Sequence, residues 1–124
     1  MARTESNEFE IGTKATDFTL MNTIDDKQYT LSELKGEKGT VLMFICNHCP
    51  FVIHVNEQLV KLGNEYQSKG INFIAISSND VENYPQYAPH LMKQLADNLQ
   101  YPFPYLYDAT QEVAKAYDAA CTPD

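Results

Sequence analysis

Two hydrophobic periods run along this chain, and the places where one gives way to the other mark its elements. Residues 41–45, Val-Leu-Met-Phe-Ile, form the longest apolar run. The run is short and rich in strand formers, which predicts a buried strand. From 51 to 67 the apolar residues fall at Phe51, Val52, Val55, Leu59, Leu62 and Tyr66. Steps of three and four predict a helix with one buried face. Pro50 suits its first turn, where a missing N–H costs nothing. Gly70 suits its end. Residues 71–77 read as the next strand, and a strand, a long helix and another strand imply a right-handed parallel crossover.

The flanks read more simply. Residues 18–21 and 28–31 enclose a polar stretch, 22–27, which predicts a strand–turn–strand hairpin. Thr30-Leu31-Ser32-Glu33 has the pattern of a capping box, so a short helical turn should follow before Gly36. Residues 78–89 form a loop broken by Pro85 and Pro89; its Tyr84 and Tyr87 either line a binding surface or pack onto the domain. Residues 90–99 predict a helix with Leu91, Met92, Leu95 and Leu99 on its core face. A short strand is expected at 103–107, and Pro102 and Pro104 place it near a sheet edge. Residues 108–111 open a last helix that runs to about 119, with Val113 and Tyr117 facing in.

Composition narrows the class. A chain of 124 residues makes one domain with a real core. With 44% hydrophobic and 21% charged residues it is globular, and its net charge of −8 works against nucleic acid and anionic membrane surfaces as partners. No segment approaches a transmembrane length. Residues 1–10 are polar and lack the apolar stretch of a secretory signal. Three cysteines in such a chain point to a reducing, cytoplasmic setting and to catalytic thiols rather than a disulfide scaffold.

The chemistry concentrates at Cys46-Asn47-His48-Cys49-Pro50, between the buried strand and the long helix. Residues three apart at a helix start share one side, within reach of a disulfide. The first turn offers unpaired N–H groups and the positive end of the dipole, which stabilise a thiolate. His48, when protonated, adds positive charge. Cys46, at the mouth of the turn, is expected to be the exposed attacker, and Cys49, one turn deeper, the resolving thiol. Inert core cysteines are one rival reading. A zinc site is another, but it needs four ligands, and His48, His54, His90 and Cys121 are scattered. Cys121 reads as a small buried residue or as a third redox thiol.

With these motifs in hand, the sequence resembles the redoxin branch of the thioredoxin superfamily, which holds the peroxiredoxins and the thioredoxin-like thiol–disulfide oxidoreductases. The resemblance runs through residues 11–20, through Thr30 to Gly36, through the cysteine pair, and through an inserted helix and strand at 90–107. It ends at Thr122-Pro123, where the family has a cis-proline packed against the cysteines. It implies an α/β, thioredoxin-like fold in a single domain over 1–124, with an N-terminal hairpin and a helix–strand insertion. It implies that Cys46 attacks a substrate disulfide and Cys49 resolves the mixed disulfide, with His48 and Pro123 completing the catalytic set. Thr122 and Asn47 are then the substrate-binding candidates. On its own chemistry Pro123 could equally be a trans turn residue. No cofactor and no metal are expected. The partners implied are protein or small-molecule disulfides and thiols, with a thioredoxin or glutathione as reductant.

Some positions depart from the family pattern. Phe44 and Ile45 stand where many reductases carry tryptophans. Val52 stands where several carry a glutamate, which leaves water or His48 to handle protons. Cys46 occupies the place of the threonine that peroxiredoxins need three residues before their peroxidatic cysteine. Thiol peroxidase is therefore the alternative activity, and a non-catalytic thioredoxin-like binding module the second. His48 before the second cysteine resembles the more oxidising members of the superfamily. The family fold continues past its cis-proline with two more strands and a helix, which are missing here, so strand 41–45 should be left as an exposed apolar edge.

Overall fold

The computed structural model describes residues 7, 10–47, 49–79 and 81–124. Among them five strands form one mixed sheet in the order β2-β1-β5-β4-β3. The hairpin comprises β1 (Thr19–Asn22) and β2 (Lys27–Thr30), paired antiparallel. β3 (Gly39–Phe44), β4 (Ile71–Ser77) and β5 (Tyr105–Tyr107) run parallel to one another. Helix α2 (Pro50–Gln67) makes the crossover from β3 to β4, with Pro50 at its first position. Gly70 takes φ +83 just past its end, a conformation glycine adopts without penalty.

Side chains alternate between the two faces of the sheet, as the period of two requires. Met43, Phe73, Ala75 and Tyr105 join one core cluster, covered by α2 and by α3 (Pro89–Leu99). Phe44, Ile74, Ile76 and Leu106 join the other, covered by α1 (Leu31–Leu34) and α4 (Glu112–Ala116). The capping box is formed at α1: Thr30 accepts from the Glu33 N–H, and the Glu33 carboxylate accepts from the Thr30 N–H. Such a cap is worth about 1 kcal/mol.

Three expectations change. β5 does not lie near an edge but in the middle, between β1 and β4. The prolines precede the ladder, where only carbonyls are needed: Pro104 accepts from the Ala75 N–H, and the first N–H, that of Tyr105, is taken by the Asn22 side chain. Phe51 is 47% exposed, because the inward stripe of α2 runs through Val52, Asn56 and Gly63. A Cβ on Gly63 would come within 2.8 Å of Pro102 and 3.1 Å of Phe103, so the helix needs glycine there to approach that loop. The last helix is shorter than expected. It starts at Glu112 after Gln111 in the left-handed region, with buried Asp108 holding Ser78 and the Ala114 N–H.

Among the described residues β3 is the edge of the sheet, but of the apolar run only Val41 is exposed; Met43, Phe44 and Ile45 are buried, so the expected exposed apolar edge is not formed along its length. At its far end Phe44 and Asp124 exchange backbone hydrogen bonds, each 3.0 Å, which anchors the Thr122-Pro123 segment beside the cysteine loop.

Candidate active site

The parallel pairing of β3 with β4 carries through Ile45, whose N–H bonds to Ile76. The chain then leaves the sheet and turns into α2, with Cys49 as the N-cap residue. Cys46 and Cys49 thus sit between the sheet and the helix start, and both belong to the core cluster under α2. Each is only 1% exposed. Cys46 was expected to stand open to solvent, and it does not. Thr122 lies across it, with the Thr122 hydroxyl 3.4 Å from its sulfur. The Cys49 sulfur donates to the Thr122 carbonyl at 3.2 Å. The Thr122–Pro123 peptide is cis. One loop from the far end of the chain therefore touches both sulfurs.

Burial pushes the Cys49 thiol up, but the N–H groups of Val52 and Phe51 at the helix start, with Thr122 and Cys46, outweigh it, and the net effect is downward. The helix-start argument from the sequence applies to this sulfur. His48 lies outside the described residues. Asn47 is 5% exposed and turns inward. Its carbonyl oxygen accepts from the Tyr105 hydroxyl at 3.0 Å, and its amide nitrogen donates to the Gln86 carbonyl at 3.0 Å. Asn47 thereby ties the cysteine loop to β5 on one side and to the 3₁₀ turn Pro85–Tyr87 on the other.

Behind the cysteines stand several phenols, of which Tyr101 and Tyr105 had no role in the sequence analysis. Burial first, and the charge of Cys46 second, push the Tyr101 hydroxyl up to about 12. Tyr105 is also raised, by burial and then by Tyr101 and Cys46. Tyr87 is raised by burial and then by the nearby Cys46. Tyr101 donates to Asn56 at 2.8 Å, which explains why a polar residue lies on the buried stripe of α2. One signal was available: Tyr101, Phe103, Tyr105 and Tyr107 recur at every second position. That alternation puts an aromatic row on one face, and it is the face that holds the cysteines. Tyr84 is 53% exposed, while Tyr87 packs against the core. Both line an open cleft of about 630 Å³ whose other walls include Lys115, Cys121 and Thr122. Among the described residues no three of His, Cys, Asp and Glu gather where they could hold a metal ion.

A mixed sheet with a cysteine pair at a strand-to-helix junction and a cis-proline beside it defines a thioredoxin-like protein of the redoxin branch. The AhpC/TSA family matches residues 11–124, and the chain belongs to that family. Among solved structures, an uncharacterized conserved protein from Geobacillus kaustophilus is 58% identical. It covers 100% of this chain, which covers 66% of it, with a TM-score of 0.98. A hypothetical protein from Sinorhizobium meliloti 1021 is 41% identical over 98% of this chain and 66% of its own, with a TM-score of 0.94. The chain thus spans just under two thirds of the length of both. A thioredoxin-family thiol:disulfide interchange protein from Chlorobium tepidum TLS shares the fold, at 20% identity over 94% of this chain and 77% of its own, with a TM-score of 0.74. Among curated proteins, none matches this chain.

Proposed function

We propose that the protein is a thiol–disulfide oxidoreductase working through Cys46 and Cys49. The observation that carries this reading is the meeting of both sulfurs with Thr122, at 3.4 and 3.2 Å. The contacts differ in a way that suits two roles. Cys46 meets the Thr122 hydroxyl, and a hydroxyl can donate to a thiolate. Cys49 donates to a carbonyl, which suits a thiol. The Cys46 thiolate attacks a substrate disulfide, forms a mixed disulfide and expels one substrate thiolate, which takes up a proton. Cys49 then loses its proton and attacks Cys46, releasing the second substrate thiol and leaving a Cys46–Cys49 disulfide. A thioredoxin or glutathione returns the pair to the dithiol. Pro123 and Thr122 shape the place where the substrate lies. A cytoplasmic location belongs to the same proposal, since a reducing compartment would keep the pair recharged.

A second reading has its own support. The downward shift of Cys49 favours it as a thiolate, and Cys49 holds the place of the peroxidatic cysteine in the family pattern. A Cys49 thiolate would attack a hydroperoxide, becoming sulfenic acid and releasing an alcohol or water. The Cys46 thiol would then condense with it, expelling water. Steady-state turnover separates the two. The expected result is reduction of insulin or a small aromatic disulfide at the expense of dithiothreitol, with hydroperoxide consumed far more slowly. Fast hydroperoxide consumption with no disulfide turnover would reverse the assignment.

The role of His48 remains part of the proposal. Its imidazolium favours the thiolate and so the reduced pair. The charge of −8 opposes this, but is screened beyond about 10 Å at moderate salt. The pair is expected to lie between roughly −270 and −120 mV. His48→Ala should move it more negative, by on the order of 10–30 mV in a glutathione titration. An unchanged potential would remove His48 from the mechanism.

A further inference from the structure

We infer that Lys115 is a specificity-determining residue, selecting small disulfide substrates that carry a carboxylate and holding that carboxylate in the cleft beside Thr122. For turnover this rests on the oxidoreductase reading above; for binding it rests on the cleft alone.

The cleft and the cysteine pair share two walls. Thr122 lines the cleft and touches both sulfurs, at 3.4 Å from Cys46 and 3.2 Å from Cys49. Tyr87 lines it too, and packs against the core cluster that holds both cysteines. Each wall is anchored. Asn47 holds the turn Pro85–Tyr87 through the Gln86 carbonyl at 3.0 Å. The Phe44–Asp124 pair holds the Thr122 loop, and the Asp124 carboxylate accepts from the Ala120 N–H at 3.0 Å. Helix α4, which carries Lys115, is fixed to the chain just past β4. Buried Asp108 accepts there from the Ser78 hydroxyl at 2.8 Å and from the Ala114 N–H at 3.0 Å. The Gln111 side chain donates to the Ser78 carbonyl at 2.8 Å, and the Lys115 N–H bonds to the Gln111 carbonyl at 3.1 Å. The cation is thus mounted on a wall that the fold keeps in place.

The charge of this cleft runs against the composition of the chain. The sequence has 17 acidic and 9 basic residues, yet among the described residues lining the cleft Lys115 is the one charged side chain. Nearby carboxylates are directed elsewhere. Glu112, on the same helix, lines a second cavity of about 580 Å³ with Thr19 and Met21 of β1. Asp118 accepts from the Asn7 side chain at 3.0 Å. Asp108 is committed to Ser78 and Ala114. Among the described residues Lys115 has no ion-pair partner. The net charge of −8 opposes an anion at long range, but it is screened beyond about 10 Å at moderate salt, so the local cation decides. The volume, about 630 Å³, suits a small molecule, since such sites run from about 300 to 1,000 Å³. In turnover the half of the substrate bonded to Cys46 lies in the cleft with its carboxylate at Lys115. The Cys46–sulfur bond forms as the substrate S–S bond breaks, and the other half leaves as a thiolate and takes up a proton. Attack by Cys49 on Cys46 then frees the held half.

The test uses three disulfides with equal two-carbon arms: anionic dithiodipropionate, neutral bis(2-hydroxyethyl) disulfide and cationic cystamine. Their intrinsic reactivities differ, so the quantity compared between chains is the ratio of kcat/KM for the anionic to that for the neutral disulfide. Lys115→Gln should lower this ratio about threefold and Lys115→Glu about tenfold, the effects of losing and of reversing one exposed charge pair. The ratio for cystamine should move the opposite way, and Lys115→Arg should keep the parent's values. Lys69→Gln removes an exposed cation that is paired with Glu65 outside the cleft, and should leave the ratio alone. An unmoved ratio in Lys115→Gln, or an equal fall in Lys69→Gln, overturns the inference. A Lys115→Gln loss confined to insulin also overturns it, giving the cleft to a protein segment. Binding is read separately by NMR with suberate, in which two methylenes replace the two sulfurs of dithiodipropionate. Suberate should shift the Thr122 and Tyr87 amide signals, and Lys115→Gln should need several times more of it. A chain inert toward disulfides that binds suberate through Lys115 loses only the turnover reading; if its suberate binding ignores Lys115→Gln, the inference falls as well. A chain that reduces disulfides with an unmoved ratio loses only the inference.

Discussion

In the Cys49→Ser chain, a disulfide substrate should become trapped on Cys46, and multiple turnover should fall by at least about a thousandfold. The two sulfurs are equally buried, so exposure does not choose the attacker. Their partners do. A thiolate needs donors, and Cys46 has the Thr122 hydroxyl within reach. Cys49 instead directs its proton at the Thr122 carbonyl. Opposing this, the start of α2 acts on Cys49 and lowers its thiol. The first effect should dominate in the resting dithiol, because ionising Cys49 there gives up a formed hydrogen bond. The helix start then becomes useful in the second step, when Cys49 must lose its proton to attack Cys46. Intact-protein mass spectrometry reads the outcome directly. An adduct on Cys46 in Cys49→Ser, with no adduct on Cys49 in Cys46→Ser, supports the assignment. A stable adduct only in Cys46→Ser would make Cys49 the attacker and strengthen the peroxidase reading.

What was legible in the sequence was what local patterns encode. The hairpin, the capping box and the cysteine helix follow from neighbours a few residues apart, and the structure places them within one or two residues of expectation. β5 was legible as a strand but not in its position. Pro102 and Pro104 argue for an edge only if their missing N–H groups would fall inside the ladder, and the ladder starts after them. The inward face of α2 was partly hidden, because counting apolar residues cannot find Asn56, buried for the Tyr101 hydroxyl, or Gly63, buried for close approach. The cysteine pair was evident from spacing. Its enclosure was not, since the lid residue Thr122 is 76 positions from Cys46.

Asn47 shows the same limit, and it carries the second large effect. Its place between the cysteines suggested contact with substrate, yet the side chain is committed inward to Tyr105 and Gln86, residues 58 and 39 positions away. Asn47→Ala is therefore expected to lower stability by about 2–4 kcal/mol, one buried hydroxyl losing a partner and one carbonyl losing its donor. In a domain of this size that is a fall in Tm of roughly 10 °C. Asn47→Asp separates the two arms, because it keeps the acceptor for Tyr105 and loses the donor to Gln86. It should retain more of the stability while loosening the turn that carries Tyr87. A cycle with Tyr105→Phe tests the coupling: the double variant should be less destabilised than the sum of the single changes. Additive losses would mean that Asn47 and Tyr105 do not act as a unit. An Asn47→Ala chain as stable as the parent would mean that the cysteine loop is held by something other than this clip.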